Sequence, residues 1–208
     1  MFLLKTAGLV LLSNPKTAGR SLRSVLASMP DDVDFFPKHR HLTADGFHRM
    51  FRAQIAAELG KEPETFAVMR APRDHMESWY RYRLRAAVKG QPASTRGISF
   101  PDFVEARLAN PAPAYARIGR QDRFLGLRGG KVRVTYVFDY ARLDLLVKFL
   151  SENLGKEIVL PRVNVSPVVA NEVLILPEEL ETRYRTAHAA EFELYDKVAK
   201  AGVLVTRS

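Results

Sequence analysis

The chain contains no cysteine. Disulfide staples, thiolate nucleophiles and sulfur-based zinc sites are therefore excluded, and the absence fits a cytoplasmic setting. Also missing is any apolar run near the ~20 residues that a membrane-crossing helix needs, so no transmembrane segment is expected. The apolar start, Met1 to Ser13, could pass for an export signal. Lys5 and Gly8 interrupt it, however, and it leads into a Pro-Lys-Thr loop where a small-residue cleavage site would be needed. It reads as the first strand. Repeats, low-complexity tracts and a convincing domain boundary are absent too, and acids are outnumbered, with 23 Asp+Glu against 32 Lys+Arg for a formal charge of +9.

What is present is ordinary globular material. The 208 residues are 47% hydrophobic with 12 Gly and 12 Pro, enough for one domain over residues 1–208 with a substantial core. The basic excess is not a tail. Between Arg70 and Arg128 twelve Lys or Arg stand against five acids, so an excess of seven lies mid-chain. A basic terminal arm would point to nonspecific nucleic-acid binding, whereas a basic middle suits an anionic ligand held in a cleft.

Leu9 to Leu12 suits a strand buried on both faces. Val33 to Phe36 is a short second candidate, and Thr43 caps a helix that runs through Phe47, Phe51 and Ile55 to Gly60. Thr65 to Met69 is a strong strand, followed by a helix from about Asp74 to Lys89 with Met76, Tyr80, Leu84 and Ala87 on one stripe. Ser99 to Asp102 resembles a capping box. Lys131 to Phe138 alternates as a strand, a helix from about Arg142 closes at Gly155, and Pro177 to Ala201 reads as one long helix stopped by Gly202. Strands alternating with helices predict an α/β fold with a parallel sheet and ligands at the strands' carboxyl ends.

Two stretches place polar residues at such strand ends. In the first, Asn14-Pro15 breaks the strand, Ala18-Gly19 permits a tight turn, and Leu22, Val25, Leu26 and Met29 begin a helix. A strand, a small-residue turn bearing Lys16, Thr17 and Ser21, and a helix N-terminus make a phosphate cradle. In the second, Arg70 at a strand end precedes Ser78 by eight residues, a spacing that lets a guanidinium and a hydroxyl converge on one phosphate. Two such sites predict a ligand with two separated phosphate-like groups.

The stretch Asn14-Pro-Lys-Thr-Ala-Gly-Arg-Ser-Leu22 resembles the 5′-phosphosulfate loop of sulfotransferases that use 3′-phosphoadenosine-5′-phosphosulfate (PAPS). Phe66 to Tyr80 is similar to that family's 3′-phosphate motif. Weaker similarity to the bacterial and carbohydrate O-sulfotransferases, of the heparan sulfate 2-O-sulfotransferase type, continues through Lys38–Ala44, Ser99–Phe103, Gln121–Leu125, Phe138–Leu143 and Asn164–Ser166. The resemblance implies a single-domain enzyme with a three-layer, P-loop-like parallel sheet. It implies that Pro15, Lys16, Thr17, Ala18, Gly19, Arg20, Ser21 and Leu22 hold the phosphosulfate, and that Arg70 and Ser78 hold the 3′-phosphate. Arg20 stands where the family usually has Thr. Lys16 would also stabilise the leaving group, and a histidine general base would sit at His41, with His39 second. The acceptor would be a hydroxyl-bearing carbohydrate or glycoconjugate, which could be anionic. The product nucleotide would be 3′,5′-adenosine bisphosphate (PAP), and no metal and no nucleic acid would be required.

Other readings remain for the same residues. A P-loop nucleotide kinase would share the cradle, but the G-x-x-x-x-G-K-[ST] spacing and a Mg²⁺-holding acid are missing. A nucleic-acid module would use the basic middle as a phosphate track. A sulfotransferase-like protein without turnover would bind the nucleotide and transfer nothing. Arg81 and Arg85 suit a solvated helix face, Tyr80 suits core packing, and Arg162 to Ser166 would form a loop over the nucleotide. Gln121, Asp122 and Arg123 would line the acceptor pocket or cap a helix.

Overall fold

The computed structural model describes residues 1–29, 31–161 and 171–206. In chain order the elements are β1 (Phe2–Leu4), β2 (Leu9–Leu11), α1 (Gly19–Leu26), β3 (Val33–Phe35), α2 (Ala44–Met50), α3 (Arg52–Leu59) and β4 (Glu64–Met69). There follow α4 (Pro72–Arg83), α5 (Phe100–Leu108), α6 (Gln121–Phe124), β5 (Tyr136–Asp139), α7 (Leu143–Leu154), α8 (Glu178–Ala187), α9 (Ala189–Ala201) and β6 (Val203–Val205). The chain forms two compact units. The first comprises Met1–Arg70, Arg120–Val163 and Leu194–Ser208, the second Ala71–Gly119 and Asn164–Glu193. The proposed loop at Arg162–Ser166 lies outside the described residues.

The first unit is an α/β sandwich on a mixed sheet of order β3-β1-β2-β4-β5-β6. The expected parallel sheet is confined to its centre, where β2, β4 and β5 run parallel, while β1, β3 and β6 pair antiparallel. The reason is local. The apolar start is a hairpin instead of one strand, because Gly8 turns the chain back with φ +68° and a hydrogen bond from its N–H to the Lys5 carbonyl at 3.0 Å. It is the positive φ that calls for glycine, since a Cβ there would meet only the movable end of the Lys61 side chain. A connection this short can join only antiparallel neighbours, whereas parallel ones need a crossover through a helix.

Strand periodicity then sorts the core into two faces. Leu3, Val10, Leu12, Ala67, Met69 and Val137 pack with Phe47 of α2, Ile55 of α3, Phe124 of α6 and Val198 of α9. Phe2, Leu4, Leu9, Leu11, Phe66, Val68 and Phe138 pack with Leu22 and Leu26 of α1 and Leu146 and Leu150 of α7. Helices thus cover both faces, giving three layers, as the doubly apolar strands required.

The second unit packs α4, α5 and α8 around Met76, Tyr80, Phe100, Phe103, Leu180 and Tyr184. Tyr80 donates its hydroxyl to the Ile98 carbonyl at 2.8 Å, as core packing predicts for this ring. Arg81 bonds Glu77 one turn away. Helix α4 starts two residues earlier than the periodicity implied, at Pro72, and ends at Arg83, so Ala87 lies beyond it and is exposed. Pro72 at the first helical position suits the helix start. The single helix read over Pro177–Ala201 is instead α8 and α9, broken at His188 (φ −117°, ψ 23°). The helix after Thr43 is likewise interrupted, at Phe51 (φ −127°). Thr43 and Ser99 cap their helices, and Gly60 and Gly155 close theirs.

Candidate functional site

β2 and β4 are adjacent and parallel, with Leu11 paired to Phe66, so the chain leaves both strands at the same edge of the sheet. The backbone ladder ends where Leu12 N–H donates to the Phe66 carbonyl at 2.9 Å. Two residues on, Asn14 N–H folds back to the Leu12 carbonyl, and Asn14 Nδ2 donates to the Val68 carbonyl at 3.1 Å in place of the next ladder bond. The side chain thus continues the sheet while the backbone turns away.

The turn that follows is strained. Lys16 and Ala18 take the left-handed conformation, φ 67° and 61°, with Thr17 between them at negative φ. Left-handed backbone at two non-glycine residues is costly and concentrates at functional sites. Left-handed residues in such a turn are a common way to aim successive N–H groups at an anion. The left-handed positions therefore fall on Lys16 and Ala18, not on Gly19. Gly19, the first residue of α1, is required by crowding: a Cβ there would lie 2.9 Å from Ser13 Oγ.

Individual loop residues do different work. Thr17 is buried and its hydroxyl donates to the Asn14 carbonyl at 2.8 Å, which places its proton inside the turn. Leu22 has nothing to offer a ligand: its side chain is in the core and its N–H bonds the Ala18 carbonyl at 3.0 Å. Arg20 is exposed at the start of α1, and Pro15, Lys16 and Ser21 are partly buried.

Arg70 follows the end of β4. Its guanidinium carbon lies 4.4 Å from the centroid of the Tyr140 ring, just beyond β5. Its Nε is buried and has no hydrogen-bond partner among the described residues. A buried guanidinium donor without an acceptor is costly and marks a place where an anion would be favourable. Ser78 is a buried residue of α4 in the second unit, so its pairing with Arg70 rests on the sequence spacing.

His41 reaches the same edge. Its Nδ1 is 2.7 Å from the Ser13 carbonyl, directly before the turn, and its Nε2 is 3.2 Å from Arg40 Nε. A carbonyl can only accept and a guanidinium can only donate, so the imidazole is neutral, with its proton on Nδ1 and its lone pair on Nε2. Partial burial, which disfavours the charged form, holds its pKa below the ordinary histidine value; the Ser13 carbonyl opposes this, and the Arg40 charge reinforces it. The residue remains exposed at its outer edge. The His39 ring packs edge-on against Phe51 instead.

Sequence reasoning passed over two residues that organise this edge. Asn14 was read only as a strand breaker, and Gln121 only as an acceptor-pocket or capping residue. Gln121 is fully buried, with Oε1 3.0 Å from both Asn14 Nδ2 and Arg70 N, and Nε2 2.8 Å from the Arg70 carbonyl. Gln121 opens the similar stretch Gln121–Leu125, but no residue pattern announces that its amide is buried between two strand ends. Among the described residues no helix is long and apolar enough to cross a membrane. No family model, no curated protein and no solved structure matches the chain.

Proposed function

We propose that the protein binds PAPS and transfers its sulfuryl group to a hydroxyl of a carbohydrate or glycoconjugate, with His41 as general base. The observation that carries this reading is the placement of two anion-seeking features on adjacent parallel strands: the left-handed turn at Lys16 and Ala18 after β2, and the buried Arg70 Nε after β4, without a hydrogen-bond partner among the described residues. These features fit a ligand with phosphate-like groups at both ends. The turn from Pro15 to Ser21 would hold the 5′ end, and Arg70, joined by Ser78 on the sequence spacing, would hold the 3′-phosphate. The bound donor supplies the sulfuryl group and the bisphosphate that departs from it.

The chain's own residues supply the rest. Lys16 carries a positive charge into the strained turn, where charge building on a leaving oxygen is stabilised. Thr17 and Gly19 preserve the shape of that turn. His41 Nε2 takes the proton of the acceptor hydroxyl as its oxygen bonds to sulfur and the bond from sulfur to the bridging oxygen breaks. Arg40 must first release Nε2, to which it donates here. That same bond supports a second reading, a nucleotide-binding protein without turnover.

Calorimetric titration with PAP tests the assignment. Wild type is expected to bind on the order of micromolar, and Arg70→Ala to bind at least about tenfold more weakly, since a charged hydrogen bond contributes roughly 1.5–3 kcal/mol. No binding to wild type overturns it. Binding without sulfate transfer to any acceptor selects the second reading.

A further inference from the structure

The amide of Gln121 bonds the root of both features, Asn14 before the turn and the backbone of Arg70. Oε1 accepts from Asn14 Nδ2 and from Arg70 N–H, and Nε2 donates to the Arg70 carbonyl, at 3.0, 3.0 and 2.8 Å. A buried glutamine needs partners merely to offset its desolvation. Two features go beyond that need. First, the amide grips both the N–H and the C=O of one residue, as a neighbouring strand would, and so fixes the peptide geometry from which the Arg70 side chain departs. Second, the Asn14 amide it accepts from also donates to Val68, and the Asn14 carbonyl accepts from Thr17 inside the strained turn. A continuous chain of hydrogen bonds therefore runs from Thr17 through Asn14 and Gln121 to Arg70.

We propose that Gln121 is a positioning residue that couples the two anion sites, so that a nucleotide anionic at both ends is bound more tightly than its separate halves would allow. An anion that orders the turn holds Asn14, which holds Gln121, which holds Arg70 in place. The coupling is reciprocal. It rests on the reading of this edge as a PAPS site and adds the requirement that both ends of the nucleotide act together.

The experiment compares PAP with adenosine 5′-monophosphate, which lacks the 3′-phosphate, by calorimetry on wild type, Arg70→Ala, Gln121→Leu and the double variant. The readout is the dissociation constant of adenosine 5′-monophosphate divided by that of PAP. A merely structural role would weaken both ligands equally and leave the ratio unchanged. The coupling predicts that Gln121→Leu lowers the ratio by about tenfold, one strong hydrogen bond's worth, and that adding it to Arg70→Ala lowers it no further. Gln121→Met keeps the length without either polar atom and should show the same fall if Gln121→Leu does not melt cooperatively. An unchanged ratio in either folded variant overturns the coupling while the PAPS reading stands. Failure of both variants to fold assigns Gln121 to the scaffold and also overturns it. No PAP binding by wild type overturns the PAPS reading itself.

Discussion

His41 carries its consequences in its hydrogen bonds. With Nδ1 bound to the Ser13 carbonyl, the lone pair is on Nε2, where Arg40 donates to it, and burial makes the ring resist protonation. A general base must be neutral to act, and a pKa held below the ordinary ~6.5 keeps it neutral to lower pH. The acid limb of the turnover profile should therefore lie below pH ~6.5, and a limb above that value would exclude His41. His41→Ala should lose about 10²–10⁴-fold in turnover with PAP affinity nearly unchanged. Gly19 makes a different point at the same scale. With Ser13 Oγ only 2.9 Å from where a Cβ would stand, Gly19→Val should spoil the turn. PAP titration should show about tenfold weaker binding or worse, while the thermal midpoint shifts little. Neither Gly19's crowding nor the left-handed φ at Lys16 and Ala18 was legible in the sequence, which pointed only to Ala18-Gly19 as a pair that permits a tight turn. Backbone dihedrals answer to the packing of Ser13 and Thr17 around the turn, and no residue type forces them.

At the level of elements, local signals performed best where the cause is local. Thr43 accepts from Gly46 N–H at 3.2 Å and starts α2, as its side chain and position require. Thr43→Ala should lower unfolding stability by about 1 kcal/mol in a urea titration. Apolar periodicity also found β4 and α7. It erred where tertiary packing interrupts a regular pattern, at Phe51 between α2 and α3 and at His188 between α8 and α9. Both sites carry helix-compatible residues, so nothing in composition marks the break. β5 proved shorter than the alternating run from Lys131, because pairing with β4 begins only at Tyr136. β6 went unread altogether, since three apolar residues after Gly202 become a strand only beside β5.

For the whole molecule the issue is the positive charge. Part of the basic middle is paired with acids, Arg73 and Arg81 with Glu77 and Arg120 with Asp122, and outside it Arg183 pairs with Glu105. Elsewhere Arg128 and Arg133 share Asp45. The exposed pair of Arg183 and Glu105 adds little stability, and every pair of this kind removes a cation from any continuous phosphate track. Plain duplex DNA should therefore bind no more tightly than the nonspecific range of about 10⁻⁴–10⁻⁶ M at physiological salt. A filter-binding assay showing nanomolar affinity and steep salt dependence would favour the nucleic-acid reading.

Residue order alone established the α/β class, the doubly buried central strands, most helix caps and the two loops that leave Leu12 and Met69. Each of these follows from neighbours a few positions apart, through periodicity, side-chain caps or turn chemistry. Three-dimensional packing was needed to make the sheet mixed, to seat β2 against β4, to bring His41 to Ser13 and to close the Asn14–Gln121–Arg70 chain. Those contacts join residues 28 to 107 positions apart. Which distant groups meet depends on how strands order themselves and on which buried amides find partners, and short-range patterns carry no record of either.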